Sequence, residues 1–229
     1  DRGLPVDLHC DESDDPMSRH IETLAAETVR LGLQGRVVGS HCTSMHSMDN
    51  YYASKLIPLI AEAGLHIVPN PLINLTLQGR SDTYPRRRGL TRVAELRAAG
   101  VNVALGQDCT MDPWYPLGSA DMLEVAHMAV HAVPMTSREA MAWCFTSVTV
   151  NGALAMGLPD PTLRVGGPAT MVVLQARDPI EAVRMKATRL AVIRAGRILS
   201  ETAPKVAHLS LPGRPDSLDP AAYAPIAED

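Results

Sequence analysis

Two histidines, a glutamate and an aspartate stand where chemistry could be done. His9 and Glu12 lie together in His9-Cys10-Asp11-Glu12, His41 closes Gly39-Ser40-His41, and Asp108 closes Gly106-Gln107-Asp108. Neutral imidazole nitrogens and carboxylate oxygens are the donors that hold a divalent zinc or iron ion. With one position left open, such an ion lowers the pKa of a bound water from roughly 15.7 to about 7. A carboxylate in the same cleft, here Glu12, would carry a proton from that water to a leaving nitrogen. Each residue alone also fits a structural role, since a histidine at a strand end is commonly a hydrogen-bonded core residue. The functional reading depends on whether the fold brings the four together.

The elements that would position them follow a regular pattern. Four β-prone runs end in polar residues: LPVDLH at His9, RVVGSH at His41, HIVPN at Asn70 and VNVALGQD at Asp108. Between them, residues 18–31 repeat apolar groups at Ile21, Leu24, Ala25 and Val29, with Ser18 as expected N-cap and Glu22 near the capping-box position. Residues 53–63, with Pro58 as an expected kink, and 91–99 predict two more helices. Strands alternating with helices predict βα units and a parallel sheet. A doubly wound sheet would place a glycine-rich phosphate loop after an early strand, and none is present. A (β/α)8 TIM-like barrel gathers polar residues from successive strand ends, which is the pattern here. Four strand-helix units fit before residue 118, so the expectation is the C-terminal half of such a barrel.

From Ser119 the pattern turns helical, ending at Gly157 as a C-cap glycine. Residues 163–199 predict short strands around the helical DPIEAVRM. The expected organisation is a partial barrel over residues 1–160 holding strands five to eight, part of a small β-sandwich domain over 161–203, and an extended tail over 204–229.

The 229 residues carry a net charge of -4, with Arg86–Arg88 as the one short basic run, so no broad basic field for nucleic acid exists. No apolar stretch approaches the ~20 residues of a membrane span and the N-terminus lacks the build of a signal peptide, so a cytoplasmic protein is expected. Cys10, Cys42, Cys109 and Cys144 form no CxxC pair and are expected to be reduced. Aromatic content is only 3%, so aliphatic residues must fill the core, as suits buried parallel strands.

Four segments carry a more specific signal: VDLHCDE, SHCTSMHS, NPLINLTLQGRSDTYPRRRGLTRV and GQDCTMDPWYPLG. In order and spacing they resemble blocks of the bacterial cytosine deaminases, metal-dependent amidohydrolases, and the resemblance runs from about Val6 to Leu199. The later TSVTVNGALAMGL and RVGGPATMVVL are similar to the end of the amidohydrolase barrel and its small β-domain. The resemblance implies one divalent metal ion, Zn or Fe, held by His9 from the fifth strand and Asp108 from the eighth. Asp108 would also accept a proton from the bound water. Glu12 would shuttle that proton to the ring, His41 would hydrogen-bond the water and the tetrahedral oxygen, and Cys109 and Trp114 would line the substrate pocket. The reaction implied is attack of metal hydroxide on a ring amidine carbon of a pyrimidine, with release of ammonia.

Two departures stand out. The family's first strand carries a His-x-His pair, and no His-x-His occurs here: His20, His46, His66, His127, His131 and His208 stand alone and are expected to be structural or surface residues, His46 being the first exception to consider. The chain is therefore expected to be part of a longer enzyme, inactive alone and a homo-oligomer at full length. Gln107-Asp108-Cys109 replaces the family's usual His-Asp-Asp. A thiol is a weak donor and acceptor, so substrate choice stays open between a pyrimidine and a triazine-type or creatinine-like ring. A reading of another class also stays open, in which the half-barrel is a non-catalytic binding or assembly module whose strand edges await partners.

Overall fold

The computed structural model describes residues 3–159 and 161–218, which fall into two compact units meeting between Pro161 and Thr162. The first unit contains a four-stranded parallel sheet, ordered β1 (Val6–Cys10), β2 (Val37–His41), β3 (His66–Val68) and β4 (Asn102–Val103). Its helices are α1 (His20–Arg30), α2 (Asn50–Glu62), α3 (Pro71–Leu77), α4 (Val93–Ala98), α5 (Met122–Ala132), α6 (Arg138–Ser147) and α7 (Val150–Ala155). Sequential strands pair in sequential order, as helical crossovers between parallel neighbours require.

All five residues of β2 are buried, and fully buried Ile60, Ile67, Leu96 and Val103 mark where the core runs. Each such aliphatic side chain contributes about 1.5–3 kcal/mol by leaving water. Helix α1 lies against β2 at Gly39, where a Cβ would come within 3.2 Å of Ile21 and 3.4 Å of Leu24. The last two strands of this sheet, β3 and β4, are shorter than the sequence implies. Beyond Val103 the chain stays extended, with Ala104 N–H bonded to the Ile67 carbonyl and Gly106 N–H to the Pro69 carbonyl, but pairing is too irregular to continue a ladder. Pro69 cannot donate, which helps end β3 at Val68.

Ser18 does not cap α1. The helix starts at His20, and the Asp11 carboxylate caps it from the preceding strand end, accepting from the backbone N–H groups of His20 at 3.0 Å and Ile21 at 2.8 Å. Ser18 donates its hydroxyl to that same carboxylate at 2.8 Å. An ionised acceptor at a helix N-terminus outcompetes a neutral hydroxyl. Glu22 is likewise not part of a capping box; it accepts a hydrogen bond from the Tyr52 hydroxyl of α2. Pro58 sits inside α2, Gly157 follows α7 with φ of 64°, and all four cysteines are free and buried.

The second unit holds an antiparallel sheet ordered β5 (Met171–Leu174), β6 (Arg189–Arg194), β7 (Arg197–Glu201), with α8 (Pro179–Met185) between β5 and β6. Ala195 and Gly196 join β6 to β7 with φ of 48° and 76°, the left-handed pair that a tight hairpin needs. The tail expected to be extended contains a further ladder, β8 (Ala207–His208) against β9 (Ser217–Leu218). Residues 219–229 of that tail lie outside the described residues. Among the described residues no helix is long and apolar enough to cross a membrane.

Candidate active site

The C-terminal ends of β1, β2 and the β4 segment carry the residues singled out above. His9 pairs in register with Ser40, so strand alternation alone would turn His41, one residue later, to the opposite face. His41 instead has left-handed backbone, φ 65°, and its ring comes to 4.6 Å from that of His9, centroid to centroid. Asp11 and Asp108 are also left-handed, at 51° and 63°. Three strand ends thus leave the extended conformation at the residues that carry or flank the site.

His41 Nε2 lies 3.2 Å from His9 Nδ1 and 3.9 Å from Asp108 Oδ2. Glu12 places one carboxylate oxygen 3.8 Å from His9 Nδ1 and the other 3.4 Å from His41 Nδ1. Donor atoms of His9, Glu12 and His41 all lie within 4.8 Å of one another. The tightest cluster therefore contains Glu12 and His41, with Asp108 reaching it through His41. Two imidazoles and two carboxylates suit zinc or iron, so the residues present fit the ion that the sequence implies.

Electrostatics differ within the cluster. Burial pushes the His41 imidazole down to about 4, against the opposing pull of Asp108, so the ring is neutral at pH 7. Burial, with the nearby Asp108 charge, raises the Glu12 carboxyl above its ordinary value, the direction a proton carrier needs. Burial, Asp112 and Asp108 push the Cys109 thiol up to about 12, so it is a neutral thiol, 3.6 Å from Asp108 Oδ2, and no nucleophile. The 109–118 loop folds back over this strand end only because residue 118 is glycine: a Cβ there would stand 2.2 Å from the Cys109 carbonyl. Trp114 is 68% exposed on that loop.

Asn70 and Asn74 escaped the sequence reading. Asn74 Nδ2 lies 3.0 Å from His41 Nδ1 and Asn70 Nδ2 lies 3.3 Å from it. Both are buried, and Pro71 opening α3 after an apolar strand was the one signal that a helix, with two amides on one turn, begins there. His46 is engaged structurally: its Nε2 is 3.0 Å from Asp14 Oδ1, while Asp14 also accepts from Gly79 N–H and Arg87 donates to the Asp14 carbonyl. His20 contacts Asp11, His66 contacts Asn102, and His127 and His131 contact each other.

The parallel sheet under helices brings imidazoles and carboxylates together at its strand ends, the donor types that hold a divalent ion in hydrolases. The chain matches the Amidohydrolase family over residues 1–200 and belongs to that family. It is 41% identical to a 5-methylcytosine deaminase from Klebsiella pneumoniae, whose structure liganded with 5-fluorocytosine matches with a TM-score of 0.87 over 93% of this chain and 51% of that one. An N-isopropylammelide isopropylaminohydrolase from Burkholderia multivorans matches with a TM-score of 0.75 at 27% identity, over 87% of this chain and 48% of that one. A pterin deaminase from Rhizobium rhizogenes is 36% identical over 204 residues, 88% of this chain and 46% of that protein. The chain spans about half the length of the curated relatives it matches. Its mixed α/β fold is that of these amidohydrolases.

Proposed function

We propose that this chain carries the proton-transfer half of a ring deaminase, and that β1–β4 are the fifth to eighth strands of a (β/α)8 barrel. The observation that carries the reading is the convergence of His9, Glu12, His41 and Asp108 at adjacent strand ends, with His41 neutral and Glu12 shifted toward its protonated form. His9 and Asp108 would hold a divalent zinc or iron ion, which supplies the acidification of a water. Glu12 would take one proton of that water and deliver it to the ring nitrogen, His41 would donate a hydrogen bond to the oxygen that adds, and Asp108 would pass the second proton, from the added hydroxyl, to the amino nitrogen, which leaves as ammonia while a ring carbonyl forms. Stabilising charge where it develops, with groups already oriented, is the main source of rate in such sites.

The substrate class we infer is an aminopyrimidine substituted on the edge that faces Cys109. A neutral, buried thiol offers no charge to a polar edge and tolerates a methyl group or halogen. The relatives' names point the same way, toward methylcytosine on one side and the fused pyrimidine of pterin on the other. Trp114 would close over the ring once one is bound. The test joins this chain to the N-terminal half of a relative and measures ammonia release from cytosine, 5-methylcytosine and pterin. Turnover of 5-methylcytosine at rates typical of enzymes, about 1–10³ per second, is the expected result, and release from none of the three would sink the reading. The chain alone should release no ammonia from any of them.

A further inference from the structure

The proton on a neutral histidine can sit on either ring nitrogen, and which one decides what His41 can do: a protonated Nε2 donates a hydrogen bond into the site, whereas a bare Nε2 is a metal ligand or an acceptor. The direction of one backbone hydrogen bond, carried through the amide it orients, settles the choice. The backbone N–H of Asn70 donates to Asn74 Oδ1 at 3.1 Å, and a backbone N–H can only donate. The atom facing it must be the amide oxygen, so the other end of the Asn74 amide, which faces His41 Nδ1 at 3.0 Å, is the NH2. An NH2 group donates, and Nδ1 must accept with a lone pair. The proton of the neutral ring then belongs on Nε2, which lies 3.2 Å from His9 Nδ1 and donates to it.

Asn70 does not choose between the two ring nitrogens: its Nδ2 lies 3.3 Å from His41 Nδ1 and 3.5 Å from Nε2, so the assignment rests on Asn74. The competing group is the Glu12 carboxylate, which would favour a proton on Nδ1. Its oxygen is 3.4 Å away and makes no hydrogen bond to that nitrogen, whose lone pair already has the Asn74 amide donor at 3.0 Å.

We propose that Asn74, itself oriented by the Asn70 backbone, is a positioning residue that locks His41 in the Nε2–H tautomer. The consequence for catalysis rests on the deaminase reading above: a His41 so locked is a hydrogen-bond donor to the reacting oxygen and is kept from binding the ion through Nε2. Outer partners that fix a histidine's tautomer govern its chemistry in this way at metal sites generally.

The experiment records long-range proton–nitrogen correlation spectra of the chain labelled with 15N-histidine, with the spectrum of His41→Gln identifying the His41 signals. The expected result is a pyridine-like Nδ1 and a pyrrole-like Nε2, with the Nε2–H form in about tenfold excess or more, the ratio one buried hydrogen bond sustains. Asn74→Asp keeps the acceptor for the Asn70 N–H but turns an acceptor toward His41, and should place a proton on Nδ1. A wild-type His41 with its proton on Nδ1 overturns the proposal, as does an Asn74→Asp variant in which Nδ1 stays unprotonated. If that variant does not fold, the wild-type spectrum decides alone. An Nε2–H signal in a protein that deaminates no ring would leave the positioning intact and remove the deaminase reading; an Nδ1–H signal beside active turnover would do the reverse.

Discussion

The two histidines of the site are held in contrasting ways. The His41 side chain is completely buried, at the end of a strand paired on both sides and with two amides on its ring. The His9 side chain is 68% exposed, on a strand that has a partner only along its β2 edge among the described residues, with Leu8 beside it 45% exposed. One arm of the cluster is thus fixed by residues of this chain, while the other presents an open strand edge of the kind that takes up a further partner. The His41 arm is set within this chain; the His9 arm lies open.

The largest test of that contrast is in stability. Ile67→Ala, in the buried β3, should cost about 2–5 kcal/mol in urea melts, whereas Leu8→Ala on β1 should cost under ~1 kcal/mol. Equal losses would mean that the β1 side is as well packed as the β3 side. Next, in the chain joined to a relative's N-terminal half, Glu12→Gln should lower turnover by about 10²-fold or more with metal content unchanged. Metal loss in that variant would place Glu12 among the ligands instead. Gly106→Ala would set a Cβ 2.1 Å from Asn70 Oδ1 and 2.9 Å from Val68, and should destabilise the protein by about 1–3 kcal/mol while disturbing the His41 ring signals. Unshifted His41 signals would show that Asn70 does not help hold the ring. The smallest effect is expected at Cys109, where Cys109→Asp should move the ratio of kcat/KM between 5-methylcytosine and cytosine toward cytosine by about tenfold, through one charged hydrogen bond at the ring edge. An unchanged ratio would show that residue 109 does not face the ring.

Much of this was legible along the chain. Apolar runs ending at His9 and His41 mark strand ends to within a residue, and the run to Asp108 marks the extended segment that continues β4, because a parallel strand is apolar along its buried length and turns polar where it emerges. The stop at Gly157 was equally local. What escaped was non-local. Ser18 reads as a cap because caps are sought next to the helix, yet Asp11 reaches α1 from nine residues upstream by way of a strand end. Asn70 reads only as the polar end of HIVPN and Asn74 as an ordinary polar residue in PLINLTL, since nothing in either segment reveals that the two amides will face a ring from another strand. The cluster's membership was also set by backbone conformation: Glu12 approaches both imidazoles because Asp11 turns the chain back at the strand end.

The left-handed backbone at Asp11, His41, Cys42 and Asp108 has a consequence for how such a protein can change. Each position asks a residue with a side chain to adopt a conformation that costs about 1–2 kcal/mol and that glycine adopts freely. Glycine would relieve that strain, but at Asp11 it would also remove the cap of α1 and at His41 a completely buried side chain, so the strain stays with the two catalytic candidates His41 and Asp108 and with the cap Asp11. Directed evolution for robustness should start elsewhere, at the surface of α1 or α2. The strand ends are where this sequence accepts backbone strain to hold its candidate site.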